Sequence, residues 1–190
     1  MTPKTKNVFT VAAVIQLSIF MGFGPTSSFA DSGHKAAEFL SHSGNIIYLA
    51  LGVGLPLLRD GDNGKDNAAR AADALGTSVL ITEALKNIVR EKRPDSNERD
   101  SFPSGHSTAA FAVAAMESSF HPKEAPLWYL GATAIAGSRL ALHRHYWQDV
   151  IAGAAIGYGT ARWEISQPHG LILTPLIGRD MMGIGFSKSL

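Results

Sequence analysis

The chain of 190 residues contains no cysteine. Disulfide bonds, zinc-thiolate sites, iron-sulfur clusters and cysteine nucleophiles are therefore excluded, and the fold must rest on its hydrophobic core. Charge is also scarce, since 17% of the residues are charged and the formal net charge is +1. No run of lysine or arginine forms a basic arm, so nucleic acid is not an expected partner. The sequence lacks internal repeats and low-complexity linkers, and its length suits one domain.

Residues 1–30 have the pattern of a cleaved secretory signal peptide. Lys4 and Lys6 precede an uncharged apolar run, and Ser28 and Ala30 are spaced like a signal-peptidase site. The alternative is a retained membrane anchor. We expect a periplasmic or secreted protein.

Long apolar runs are scarce in the rest of the chain. The best candidate for a membrane span, residues 39–58, includes His42, Asn45 and Pro56, and its apolar part, residues 46–58, is short for a span. We expect a soluble or peripheral protein whose apolar segment at residues 46–58 could rest against a bilayer.

Apolar periodicity predicts five helices joined by polar segments. Their predicted bounds are residues 36–57, 68–90, 104–117, 126–142 and 146–165, with loops at residues 59–67 and 91–103. Two apolar segments then flank Gly178, Arg179 and Asp180, which is the pattern of a β-hairpin. We predict an all-α helical bundle in one domain, residues 31–190, with a small C-terminal β-hairpin.

The first polar cluster is KNIVREKRP at residues 86–94. Seven residues are about two helical turns, so Lys86 and Arg93 share one face if the helix continues to Arg93. The alternative explanation is that both cations complement the helix dipole at a C-terminus.

The second cluster is FPSGH at residues 102–106, directly before an alanine-rich helix. Ser104 is a good N-cap, and a helix N-terminus binds anions through its free backbone N–H groups. Capping alone explains Ser104, but it does not explain His106 in the first turn.

The third cluster is SRLALHRHYWQD at residues 138–149. Asp149 follows His145 by four residues, so on a helix its carboxylate can reach the imidazole and fix the tautomer. His143 has Trp147 at that spacing instead. A histidine satisfied within the core remains the alternative for either imidazole.

Together the clusters contain three cations, a helix N-terminus, an imidazole with an orienting carboxylate and a second imidazole. These groups suit phosphoryl transfer without a metal, because it needs a clamp for a dianion, a nucleophile and a general acid.

The three clusters resemble the motifs of the type 2 phosphatidic acid phosphatase superfamily, which includes class A acid phosphatases and vanadium haloperoxidases. Those motifs are KxxxxxxRP, PSGH and SRxxxxxHxxxD, and residues 86–94, 103–106 and 138–149 match every defined position in the same order. The resemblance implies a helical bundle without a metal or other cofactor, for which vanadate is expected to be a phosphate-mimicking inhibitor.

The resemblance also implies roles for individual residues. His145 would be the nucleophile that forms a phosphohistidine, Asp149 would orient it, and His106 would be the general acid and then the base. The phosphate would be bound by Lys86, Arg93, Ser104, Gly105 and Arg139. His143 and Arg144 would be bystanders or would support the residues that contact the phosphate.

Three functions remain open: hydrolysis of a lipid-linked phosphate, hydrolysis of a soluble phosphomonoester, and binding of phosphate or anionic lipid without catalysis. The substrate could be lipid-linked phosphate, which we favour because the loop of residues 95–102 is short, or a soluble phosphomonoester. A haloperoxidase would need a much longer chain. A secreted protein that binds anionic lipid or phosphate without catalysis is the third alternative, although binding alone does not need His145 and Asp149 in register.

Overall fold

The computed structural model describes residues 27–168, 170, 173–178 and 181–186. By its internal contacts the chain divides into Met1–Gly33 and His34–Leu190. In the first unit the described residues are 27–33, which are the start of one helix. The predicted signal peptide therefore lies outside them, apart from residues 27–30, and it stays a prediction.

Helices dominate the described residues. They are α1 (Ser27–Phe39), α2 (Asn45–Arg59), α3 (Gly64–Val89), α4 (Gly105–Phe120), α5 (Ala125–Ala141) and α6 (Trp147–Ser166). A π-helical segment, Leu40–Gly44, joins α1 to α2, and 3₁₀ turns at Gly61–Asn63 and Pro122–Glu124 precede α3 and α5. The prediction of a helical bundle is confirmed.

The predicted start of the second helix, residue 68, is wrong, whereas its end was predicted to within one residue. The predicted loop at residues 59–67 is mostly helical, since a 3₁₀ turn spans Gly61–Asn63 and α3 begins at Gly64. The Asn67 side chain donates to Asp60 at 2.7 Å and joins this segment to the end of α2. The helix that contains Lys86 ends at Val89, and Arg90 caps it in the left-handed conformation, with φ of 51°. Arg93 therefore lies in the loop and not on the helix face of Lys86.

Helix α4 lies at the centre of the bundle and packs against α2, α3, α5 and α6. Its sequence is rich in alanine, and Ala110, Val113, Ala114 and Met116 are completely buried. Small side chains all round a helix allow close neighbours on several sides. The N-terminal end of α4 is therefore surrounded by the ends of other elements.

Two glycines bring α6 against α4. A Cβ at Gly153 would lie 2.4 Å from the carbonyl oxygen of Ser104, and one at Gly157 would lie 2.1 Å from that of Thr108. Real Cβ atoms do not approach so closely, so the two main chains touch only because both positions are glycine. This contact places the first turn of α6 beside the first turn of α4.

Among the described residues, one helical stretch, Asp31–Arg59, is long and apolar enough to cross a membrane by length and composition. The apolar segment identified from the sequence, residues 46–58, was shorter than this stretch, because α1, the π-helical segment and α2 form one continuous helix. Most of this stretch is not covered by the rest of the protein.

The C-terminal residues pair as two strands. β1 (Leu173–Gly178) and β2 (Met181–Phe186) are antiparallel, with Leu173 opposite Phe186. They lie where the hairpin was predicted, and the turn residues 179 and 180 are outside the described part of the chain.

Candidate active site

Three predicted clusters meet at the N-terminal end of α4. The end of α3 supplies Lys86, the loop of residues 90–104 supplies Arg93, and the turn between α5 and α6 supplies His145. The loop and α6 are joined directly, because the backbone N–H of Ser104 donates to the carbonyl oxygen of Asp149 at 3.0 Å.

Lys86 and Arg93 are brought together by Asp100. Lys86 Nζ donates to the Asp100 carbonyl oxygen at 2.8 Å and lies 3.9 Å from its carboxylate. The Arg93 guanidinium binds the same carboxylate with two hydrogen bonds, at 2.7 and 2.8 Å. This paired contact raises the pKa of Arg93 and lowers that of Asp100, whereas burial lowers the pKa of Lys86. A bidentate arginine contact is specific in direction, so the loop geometry fixes both cations.

Arg139 is a buried cation near the C-terminal end of α5, with 6% of its surface exposed. Its guanidinium donates from one terminal nitrogen to Ser41 Oγ, while its Nε has no hydrogen-bond partner in the described part of the chain. No carboxylate of the described residues forms an ion pair with it. Burial, and then the cations Arg93 and Arg144, lower the pKa of Arg139 to about 10. Asp95 raises the pKa of Arg139 only from beyond ion-pair distance. A buried charge without a carboxylate in contact is costly, which points to an anionic ligand at this place.

His106 lies in the first turn of α4 and is partly buried. Its Nε2 is 3.0 Å from the carbonyl oxygen of Ser41. Because a carbonyl only accepts, Nε2 carries the proton and Nδ1 is the basic nitrogen. Burial, and then the Arg139 charge, lower the pKa of His106 to about 4.

His145 lies in the turn before α6 and is almost completely buried. Its Nδ1 is 3.5 Å from Asp149 Oδ2, which is an ion-pair distance and longer than a good hydrogen bond. The pairing was predicted on a helix, but His145 precedes the helix and only Asp149 belongs to it. Burial first, and then the cations of the site, lower the pKa of His145 to about 4, although Asp149 acts in the opposite direction.

Asp149 is held by groups other than His145. Its Oδ2 accepts from Ser101 Oγ at 2.6 Å and from the backbone N–H of Tyr146 at 2.9 Å. These two hydrogen bonds fix the direction of the Asp149 carboxylate, with Oδ2 towards the imidazole. Partial burial and the nearby Asp149 carboxylate raise the pKa of Glu91.

Ser104 acts as the N-cap of α4, as predicted. Its Oγ accepts from the backbone N–H and the hydroxyl of Ser107, at 3.5 and 3.1 Å. Its own backbone N–H is already bound to Asp149. The amides that remain for an anion are therefore those of the following first-turn residues, Gly105 and His106.

His143 and Arg144 differ from the other site residues. His143 is exposed and adopts the left-handed conformation, with φ of 54°. Arg144 forms an exposed ion pair with Asp95 at 2.8 Å. Neither contacts His145, Asp149 or Arg139 through a side chain among the hydrogen bonds and ion pairs of the described residues.

A cavity of about 360 Å³ opens beside Lys86 and Asp100, and its other lining residues are Glu83, Asn87, Arg90 and Arg99. Of the predicted site residues, Lys86 belongs to the lining of this cavity. The described residues include no group of three or more His, Asp or Glu side chains placed to hold a metal ion.

Three contributors were missed by sequence reasoning. Asp100 and Ser101 stand in a loop with many charges, where no spacing distinguishes them from solvated residues. Ser41 lies far upstream of the motifs, and its contacts with Arg139 and His106 exist only in the folded chain. A polar residue inside a predicted apolar helix was the one available signal for Ser41.

Comparison with known proteins identifies the family. The profile of the PAP2 superfamily, which is the type 2 phosphatidic acid phosphatase superfamily, matches residues 68–172. This is more than half of the chain, and the chain belongs to the PAP2 superfamily. The resemblance inferred from the three motifs is confirmed, and with it the prediction of a phosphoric ester hydrolase at the level of the family.

Two individual proteins are similar to the chain. A lipid A 1-phosphatase from Porphyromonas gingivalis is 30% identical over 121 residues, which are 60% of this chain and 26% of that protein. The chain thus spans about a quarter of the length of this relative. A phosphatidylglycerolphosphate phosphatase from Bacillus subtilis, described as a transmembrane PAP2-type enzyme, has the same fold with a TM-score of 0.54 and 20% identity, over 84% of this chain and 85% of that one.

Proposed function

We propose that the protein is a metal-independent phosphatase that hydrolyses phosphate monoesters or diphosphates, preferably lipid-linked, through a phosphohistidine on His145. The observation that carries the proposal is the buried Arg139, which has no carboxylate partner among the described residues and lies in one site with two imidazoles. A phosphate would supply the missing negative charge, and His145 would supply the nucleophile.

In the first step, Nε2 of His145 attacks the phosphorus and the bond to the leaving oxygen breaks. Nδ1 is the nitrogen that faces Asp149, so it keeps its proton and Nε2 has the free lone pair. His106 gives the proton from Nδ1 to the leaving oxygen. The products are the free alcohol, or a shorter phosphate, and a phosphohistidine.

In the second step, neutral His106 accepts a proton from water through Nδ1, and the water oxygen attacks the phosphorus. The P–N bond breaks, inorganic phosphate is released, and His145 returns to its neutral form. The transition states are loose, so positioning and counter-charge provide most of the rate enhancement. The non-bridging oxygens would be bound by Lys86, Arg93 and Arg139. The Ser104 hydroxyl, whose proton is free to donate, and the backbone N–H groups of Gly105 and His106 would bind them as well.

Both imidazoles are neutral near pH 7 in the free protein, because their pKa values are lowered to about 4. Neutral His145 is the form that attacks. His106 must be protonated to act as an acid, and the proton can come from the monoanion of the ester, whose second pKa is about 6. The negative charge of the bound phosphate also favours the imidazolium.

A lipid substrate is supported by the exposed apolar surface. On α2, Ile46, Ile47 and Leu58 are exposed, and on α5 Leu127 and Leu130 are exposed. The two helices are in contact, since the Tyr48 hydroxyl donates to the Trp128 carbonyl oxygen at 2.7 Å. Large apolar surfaces of this kind are typical of membrane or protein contacts. We therefore propose association with a membrane on the periplasmic or outer side, where lipid phosphates are accessible.

The similar proteins agree with this substrate class. One is named a lipid A 1-phosphatase and the other a phosphatidylglycerolphosphate phosphatase. Both names specify a lipid-linked phosphate as the substrate of that protein.

The test is phosphate release by the purified protein in the presence of a metal chelator. Phosphatidic acid, a polyprenyl diphosphate, lipid A and a nucleoside monophosphate are compared as substrates. We expect turnover with at least one lipid to exceed that with the nucleotide, and a phosphorylated His145 to be trapped by rapid quenching. A clear preference for the nucleotide would overturn the lipid assignment.

A non-catalytic phosphate or lipid binder is the second candidate. It predicts binding of inorganic phosphate without turnover of any ester. Hydrolysis that survives His145→Ala would instead refute the proposed nucleophile.

A further inference from the structure

Ser41 lies in the π-helical segment Leu40–Gly44 and is 2% exposed. It contacts two residues of the proposed phosphate site at once. Its hydroxyl accepts from the Arg139 guanidinium, and its carbonyl oxygen accepts from His106 Nε2 at 3.0 Å. No other described residue hydrogen-bonds to both side chains.

The hydroxyl matters because Arg139 has few other partners. Its Nε is without a hydrogen bond, and Ser41 Oγ is the acceptor for one terminal nitrogen among the described residues. A long arginine side chain loses rotamer freedom when it is held in one direction. An acceptor that holds the guanidinium before the substrate arrives reduces that cost of binding.

The carbonyl matters because it sets the tautomer of His106. With Nε2 donating to Ser41, Nδ1 is the nitrogen that exchanges a proton with the reaction. The two contacts come from one residue, so any movement of the π-helical segment changes the cation and the imidazole together. Single π-helical turns occur often at functional sites.

We infer that Ser41 is a positioning residue of the phosphate site, whose hydroxyl fixes the direction of Arg139 and whose carbonyl oxygen fixes the tautomer of His106. The inference rests on the proposed function. Ser41 lies outside residues 68–172, which match the family profile, so the site depends on a segment upstream of that region.

The first experiment measures the affinity of the full chain for inorganic phosphate and for vanadate by calorimetry. Ser41→Ala removes the acceptor, and we expect the Kd to rise by about tenfold, because hydrogen bonds to charged groups are the stronger ones. Ser41→Cys keeps the size but accepts weakly, so it should also weaken binding. Ser41→Thr keeps the hydroxyl and should restore affinity to within about threefold of wild type.

The matched control is Ser78→Ala. Ser78 is a buried serine on α3 whose hydroxyl donates to the Leu75 carbonyl oxygen of the same helix at 2.8 Å. Its replacement should leave the Kd unchanged. If Ser41→Ala and Ser41→Cys, folded by circular dichroism, bind phosphate as wild type does, the inference is wrong. It is also wrong if Ser41→Thr loses affinity as fully as Ser41→Ala.

A second experiment separates positioning from general structural support. Phosphate affinity is measured for Ser41→Ala, Arg139→Ala and the double variant. If the hydroxyl acts through Arg139, Ser41→Ala should have little further effect once Arg139 is removed. An equal loss in both backgrounds would overturn the inference.

The two hypotheses fail differently. Phosphate binding that depends on Ser41, without turnover of any ester, would refute the phosphatase and leave the positioning role. Turnover that needs His145 but not Ser41 would refute only the positioning role.

Discussion

The two ends of α4 both carry buried or half-buried charges, but in different states. At the C-terminal end, Arg59 donates to Glu117 and to Glu124, each at 2.9 Å, and His121 lies 3.0 Å from Asp60. Every member of that cluster therefore has a partner of opposite charge or a hydrogen bond to one. At the N-terminal end, Arg139 has no such partner among the described residues.

The comparison separates support of the fold from a site for a ligand. Near the N-terminus of α4 the cation Arg139 opposes the helix dipole, whereas near the C-terminus Glu117 opposes it and Arg59 complements it. The C-terminal cluster compensates by internal pairing. The N-terminal cluster compensates only in part, through Asp100, and a bound anion would complete it.

The largest effect is expected when one histidine at each end of α4 is replaced by alanine. His145→Ala should abolish phosphate release because it removes the proposed nucleophile. His121→Ala should keep turnover and lower the free energy of unfolding by about 1 to 2 kcal/mol, through lost hydrogen bonds. Phosphate release and chemical unfolding measure the two effects. Loss of turnover in folded His121→Ala would contradict the division between the two ends.

An arginine at each end gives the second test. Arg139→Ala should lower kcat/KM by about 100-fold, as for loss of a single oxyanion donor. Arg59→Ala should lower the free energy of unfolding by about 2 to 3 kcal/mol, because the fully buried Glu117 is left without its cation. If Arg59→Ala reduces kcat/KM as much as Arg139→Ala does, the two clusters are not separate.

The third test uses pH. Because the pKa values of His106 and His145 are lowered to about 4, His145 is neutral above that pH and gains a proton below it. We expect kcat/KM to decrease as the pH falls through about 4, because His145 gains a proton there and loses the lone pair that attacks. Arg139 contributes to both lowered pKa values, so Arg139→Ala should move this decrease to higher pH. If kcat/KM of the wild type already decreases as the pH falls through the ordinary histidine pKa of about 6.5, the lowered pKa of His145 is contradicted.

The smallest effect is expected at His143, which lies beside the site without joining it. His143→Gly should change kcat/KM by less than about twofold, since glycine adopts the left-handed conformation without cost. It should also raise the free energy of unfolding by up to about 1 kcal/mol. His143→Val, which tolerates that conformation poorly, should lower it. Thermal melting of both variants checks the sign.

Much of the fold was predictable because it depends on local periodicity. The helices from Ala125 and Trp147 begin within one residue of their predicted starts, since apolar spacing and polar loops define both. The positions of the motif residues followed from spacing in the same way. The start of α3 was missed, because Gly64 and Asn67 have the composition of a loop, although Gly64 is buried against the backbone of Pro56 and the Asn67 side chain binds Asp60.

The contacts within the site were less predictable. Lys86 and Arg93 could share a helix face only if the helix continued to Arg93, but a left-handed Arg90 ends the helix and Asp100 brings the cations together. Asp149 was expected to serve His145, yet Ser101 binds it at a shorter distance. Such contacts join residues far apart in sequence, and no periodic pattern encodes them.

The close contact of α4 with α6 at Gly153 and Gly157 has a consequence for protein engineering. The distance between Asp149 and the first turn of α4 is set by main-chain contact, so it does not depend on the composition of the loop above. Substitution of the exposed Arg99, which lines the cavity, should therefore alter substrate range while the first turns of α4 and α6 keep their spacing. A single added methyl group at Gly157 would instead displace the orienting carboxylate itself.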